Sequence, residues 1–110
     1  MSAQRKCKYC GPSVCRPCTV YVVADRDGCG FVKVGVSFSP TRRLAQHRKK
    51  TGRDLAVFFK FETSCEYLAM DVESAALDAL MASRVQGDWH SCTVEDAIVA
   101  VKAAGGRNGC

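Results

Sequence analysis

Arg43 and His47 stand four residues apart within the stretch Phe31 to Gly52, which reads FVKVGVSFSPTRRLAQHRKKTG. On a helix that spacing stacks them one turn apart on one face. Arg42, Arg48, Lys49 and Lys50 lie on the same segment, so a strongly basic helix is expected here, and it points toward phosphate. A second set of chemically able residues precedes it. Residues 7–18 read CKYCGPSVCRPC, two CxxC pairs separated by four residues. Thiolates of Cys7, Cys10, Cys15 and Cys18 satisfy a tetrahedral Zn2+ site. Gly11-Pro12 supplies a turn between the pairs, and Arg5, Lys6, Lys8 and Arg16 favour the thiolate form. An iron–sulfur cluster and a redox dithiol pair are the competing uses of such cysteines. Cys29, Cys65, Cys92 and Cys110 are too scattered for a second site and read as buried or incidental thiols.

The elements that must position these groups follow from periodicity. Thr19 to Ala24 is a β-branched strand with Tyr21 and Val23 on one face and Val20 and Val22 on the other. The polar, glycine-bearing stretch Asp25 to Gly30 turns the chain into a second strand, Phe31 to Val36, as an antiparallel hairpin. There Phe31, Lys33 and Gly35 share a face, so a tyrosine and a lysine project from one region of sheet beside a glycine that leaves room. Ser39 caps the basic helix, Pro40 suits its first position, and Thr51-Gly52 ends it.

Leu55 to Glu62 reads as a third strand. Thr63-x-x-Glu66 is a capping box that predicts a second helix running to about Ser83. On that helix Glu73 has Ala69, Met70, Ala76, Leu77 and Leu80 as neighbours. A carboxylate in an apolar stripe costs free energy unless a cation or hydrogen bonds compensate it, so Glu73 is a candidate metal ligand or buried ion-pair partner. Gln86 to His90 breaks the chain, with Trp89 packing a core edge. Thr93 caps a third helix, with Glu95 and Asp96 in its first turn, that Gly105-Gly106 ends.

The 110 residues suit one compact domain. Residues 1–53 carry twelve Lys and Arg against two Asp and Glu, whereas residues 54–110 carry four against nine. The overall charge of +5 therefore hides a basic first half, which fits a nucleic-acid surface and, equally, a solvated face. No apolar run approaches a membrane span and the polar start is no signal peptide, so a cytoplasmic protein with no membrane partner is expected.

Together these residues resemble the GIY-YIG nuclease family, in its small phage and bacterial branch with a degenerate signature. Thr19-Val20-Tyr21 stands for the first motif, and Lys33-Val34-Gly35 for the second, with lysine where the family name has tyrosine. Arg43 lies eight residues past Gly35, where the family carries its catalytic arginine, and His47 where many members carry a histidine. Glu73 matches the metal-binding glutamate, and Gly87-Asp88-Trp89-His90 looks like the segment that closes the domain. The resemblance covers about residues 19–103. It implies an α+β fold, a three-stranded antiparallel sheet flanked by three helices, placed after a four-cysteine zinc knuckle. The expected organisation is a knuckle over 1–18, a nuclease domain over 19–104 and a disordered tail over 105–110.

The implied activity is hydrolysis of DNA phosphodiesters with Mg2+ or Mn2+ held by Glu73. Tyr21, Lys33, Arg43, His47 and Glu73 are then the catalytic set, and zinc is structural. Lys8, Arg16, Arg42, Arg48, Lys49 and Lys50 would contact DNA, and a larger assembly could supply targeting. The alternative is a non-catalytic nucleic-acid-binding module on the same scaffold.

Overall fold

Strand alternation builds two cores on the two faces of one sheet. The computed structural model describes residues 16–28, 30–87 and 89–107. The cysteine cluster apart from Cys18, and with it Lys8, lies outside the described residues. The elements run β1 (Cys18–Asp25), β2 (Val32–Ser37), α1 (Pro40–Thr51), β3 (Leu55–Thr63), α2 (Glu66–Ala79), a 3-10 turn (Met81–Ser83), β4 (Arg84–Gln86), β5 (Trp89–His90) and α3 (Val94–Arg107). The fold is α+β, as expected. Its sheet has five antiparallel strands in the order β3-β1-β2-β5-β4, not three. The additional pair comes from the segment read as a chain break: Gly87 takes φ 58°, a turn that folds Arg84–Gln86 back on Trp89–His90. Trp89 then pairs with Lys33 and His90 with Val32 on β2.

On one face Val20, Val22, Ala24, Val32 and Val34 pack against Ala69, Val72 and Ala76 of α2 and Ala97, Val101 and Ala104 of α3. The helices present alanines at the contact, so their backbones approach the sheet and each other closely. On the other face Tyr21, Val23 and Leu55 form a smaller core with Leu44 of α1, Val57 and Trp89. Strand β3 serves both cores. Strict alternation would put Leu55, Val57, Phe59 and Phe61 on one face. A bulge intervenes: Val22 pairs with Phe59 and Val23 with Val57, which leaves Phe58 without a partner residue on β1. The extra residue flips the strand, so Leu55 and Val57 serve the smaller core while Phe59 and Phe61 join the larger one.

Three helix ends differ from the sequence expectation. The Thr63 capping box does not form, because Thr63 is the last residue of β3 and its hydroxyl donates to the carbonyls of Cys18 and Cys65. Cys65 takes the N-cap position, and α2 stops at Ala79 rather than Ser83. Ser39 does occupy the N-cap of α1 but makes no side-chain cap bond. Helix α3 is capped as expected, with the Asp96 N–H donating to Thr93 Oγ1 at 3.0 Å. It continues through Gly105 and Gly106 instead of ending there, so the tail expected over 105–110 is helical as far as Arg107. Gly105 sits under the Phe61 ring, where a Cβ would overlap the ring tip, whereas a Cβ at Gly106 meets nothing within 4 Å.

These two glycines should respond in opposite ways. Gly105→Ala should lose roughly 1–3 kcal/mol of stability, because overpacking against Phe61 outweighs the helix-propensity gain. Gly106→Ala should gain up to about 1 kcal/mol by propensity alone. Urea denaturation of the two variants checks this.

Candidate active site

The smaller face holds most of the candidate residues. Tyr21 lies in the middle of β1 directly opposite Gly35 on β2. A Cβ at position 35 would stand 2.6 Å from the Tyr21 hydroxyl oxygen and 2.7 Å from Cζ, so the phenol crosses β2 through space that only glycine leaves open. Its oxygen reaches 3.0 Å from Nε2 of His47, with ring centroids 6.2 Å apart. His47 is the buried residue of α1, 8% exposed, and Tyr21 is 1% exposed, so the pair forms the floor of the site rather than its rim.

The surroundings disfavour the protonated form of His47. Burial pushes its imidazole below the ordinary pKa of 6.5, and the positive charges of Lys33, Arg43 and Lys50 push it the same way. A neutral His47 with its proton on Nδ1 accepts the Tyr21 O–H at Nε2, whereas the other tautomer donates to the phenol oxygen. Lys33 sits two residues before Gly35 on β2, and its ammonium lies 5.8 Å from the centroid of the Trp89 ring. Arg43 is exposed on α1 one turn before His47, where its Nη1 donates to Gln46. Four of the five residues expected to be catalytic therefore converge. Glu73, the fifth, is half-buried on α2, the helix that packs on the opposite face through Ala69, Val72 and Ala76.

The residues expected at DNA divide into several kinds. Arg42, Lys49 and Lys50 are exposed on α1. Arg48 instead donates from Nε to the Leu55 carbonyl at 2.8 Å, tying α1 to β3. Arg16 stacks over Phe38, 3.7 Å from the ring centroid, beside the start of α1. Cys18 is the first residue of β1 and lies in the larger core, where burial raises its thiol pKa. Among the described residues no three His, Cys, Asp or Glu side chains cluster as a metal cage. No described helix is long and apolar enough to cross a membrane.

Two neighbours of the site carry no signal in the sequence. Arg53, in the loop after α1, donates from Nε and Nη2 to the two oxygens of Asp25 at 3.1 and 2.6 Å. Its guanidinium also lies over Trp89, 5.2 Å from the ring centroid. Asp25 and Arg53 are 28 residues apart, and only the pairing of β1 with β3 and the β5 hairpin brings the three side chains together.

The family described as the T5orf172 domain has a model that matches residues 18–104. That match begins at the first residue of β1 and spans every strand and most of α3. No curated protein and no solved structure matches the chain.

In an NMR titration the His47 imidazole should protonate below the ordinary pH of 6.5, and Lys33→Met should raise its midpoint. The sign for stability follows. A folded-state pKa depressed below the unfolded one contributes stability that is complete above pH ~6.5 and lost as pH falls through the folded value.

Proposed function

The chain belongs to the T5orf172 domain family, and from that premise we propose that it is a DNA endonuclease of GIY-YIG type that uses a divalent cation. The observation that carries this reading is the buried Tyr21–His47 pair, 3.0 Å apart and within the electrostatic reach of Lys33 and Arg43. A phosphate drawn to those two cations comes to rest over a phenol whose proton has an acceptor behind it. Water attacking phosphorus can pass its proton to the Tyr21 oxygen as the phenolic proton moves to Nε2 of His47. Arg43 and Lys33 then offset the charge that builds on the phosphoryl oxygens while the bond to the leaving oxygen breaks, and the departing alkoxide takes its proton from solvent water.

Glu73 is the residue proposed to hold Mg2+ or Mn2+. Its helix packs on the other face of the sheet from Tyr21 and His47, so this role rests on the family resemblance, with water and substrate oxygens completing the coordination. Such an ion would polarise the scissile phosphate. Zinc is proposed for Cys7, Cys10, Cys15 and Cys18. Burial disfavours a bare thiolate at Cys18, so a cation there would have to supply the compensating charge.

The degenerate second motif supports one competing reading, a DNA-binding module that no longer cuts. Plasmid nicking with Mg2+ or Mn2+ separates the two. Wild type should nick, and Arg43→Ala and Glu73→Ala should each lower the rate by 100-fold or more, in line with roughly 2.7–4 kcal/mol for one charge-stabilising group. No wild-type cleavage of any DNA form, with salt-sensitive binding intact, would favour the binder. For the cysteine cluster, metal analysis under reducing conditions should find about one zinc per chain. A metal-free preparation that remains folded would remove zinc from the proposal.

A further inference from the structure

The Trp89 ring brings two cations to one patch. Lys33 reaches it from β2 and Arg53 from the loop after α1, at 5.8 and 5.2 Å from the ring centroid. Neither is placed by chance. Trp89 is the cross-strand partner of Lys33 on β5, and its indole packs against the Tyr21, Val23 and Leu55 core. Arg53 is held by a two-point fork on Asp25, and the pair closes against Gly30, where a Cβ would stand 2.6 Å from the Asp25 carboxylate. The fork uses Nε and Nη2. Among the described residues Nη1 makes no hydrogen bond, and about a third of the Arg53 side chain (31%) faces solvent.

We propose that Arg53, backed by Trp89 and by Lys33, which it shares with the scissile phosphate, forms a second phosphate seat beside the Tyr21–His47 pair, one that holds a neighbouring phosphate of the same DNA strand. Lys33 stands two residues along β2 from Gly35, roughly 7 Å of strand, a step comparable to the spacing of phosphates along an extended backbone. The open edge of the Arg53 guanidinium offers the donors a phosphate oxygen needs. Trp89 and Asp25 are positioning residues: the ring's negative face steadies both cations, and the carboxylate fixes the plane of the guanidinium. With its ring engaged by cations, Trp89 serves here to hold charge and not to stack a base. The inference rests on the nuclease reading for its strand and phosphate, but binding tests it without cleavage.

Trp89 is the chain's only tryptophan, so its fluorescence reports on the seat directly. The probe is an abasic single-stranded oligonucleotide, titrated without divalent metal over a range of salt concentrations. Wild type should bind with a change in Trp89 emission equal to that given by the same strand carrying bases. Arg53→Gln and Asp25→Asn break the same ion pair, so a purely structural role would make them behave alike. The seat requires that they differ. Arg53→Gln should lower the slope of log affinity against log salt by about 0.7, the loss of one single-strand phosphate contact. Asp25→Asn should keep or steepen the slope, and Arg53→Lys should retain it. Equal slopes in Arg53→Gln and Asp25→Asn, no response to the abasic strand, or a response that requires bases would each overturn the seat. Failure of plasmid nicking with these binding results intact would remove the nuclease reading and leave the seat standing.

Discussion

Tyr21 reaches His47 only because the residue across the strand pair has no side chain. The missing Cβ at Gly35 decides where the phenol goes, and the phenol decides how α1 sits on the sheet. Helix α1 has little apolar surface with which to dock. Its buried residue is a histidine, supported by partly buried Leu44, and the rest of its surface is largely charged. It is fastened instead by polar ties: Tyr21 to His47, and Arg48 Nε to the Leu55 carbonyl. Helices α2 and α3 dock the other way, through alanines and valines buried against the larger core. The molecule thus has one face stabilised by burial and one organised by hydrogen bonds. Since net hydrogen-bond contributions are modest, α1 belongs to the less firmly held part of the fold. The Tyr21–His47 pair sits on that side.

Much of this was legible in the sequence, and the reasons are physical. Period-two alternation in β1 and β2 separates the two faces correctly, because both strands are regular and one slip would bury the wrong set. The same alternation placed Tyr21, Lys33 and Gly35 together, and the four-residue spacing put Arg43 and His47 on one helix face, while only the family resemblance joined the two sets. What failed was what alternation cannot encode. The bulge at Phe58 reverses the faces of β3 midway, yet LAVFFKFE gives no local sign of it. The β4–β5 hairpin is too short to carry a period, and its strands exist because β2 has an open edge to pair with. The Thr63 box failed because the strand pairing of Thr63 with Cys18 claimed the residue first. Gly105 reads as a stop, but Phe61 needs the space that glycine leaves inside the helix.

Charge explains the remainder of the site. Burial, and after it the cations that the basic first half gathers around one imidazole, lower the pKa of His47. On the proposed mechanism His47 accepts a proton, so the charges proposed to draw a phosphate in would also favour the unprotonated acceptor behind it. The cost falls on the fold, because neutral imidazole loses the favourable interaction that a protonated histidine would make near the end of α1. The basic last turn, Arg48, Lys49 and Lys50, takes over that role.

Lysine at position 33, where the family resemblance would have a tyrosine, fits this arrangement better than a simple loss would suggest. A phenol there would add neither charge to the phosphate face nor any push on the His47 equilibrium. The ammonium does both, and Trp89 gives it a defined resting place. That resting place depends in turn on β5, since without the hairpin no indole would lie beside Lys33. The short strands, whose sequence reads as a break in the chain, are therefore what couples the second motif to Arg53 and Asp25. Paired with Trp89, Lys33 becomes a fixed charge two residues from the glycine over which the phenol lies.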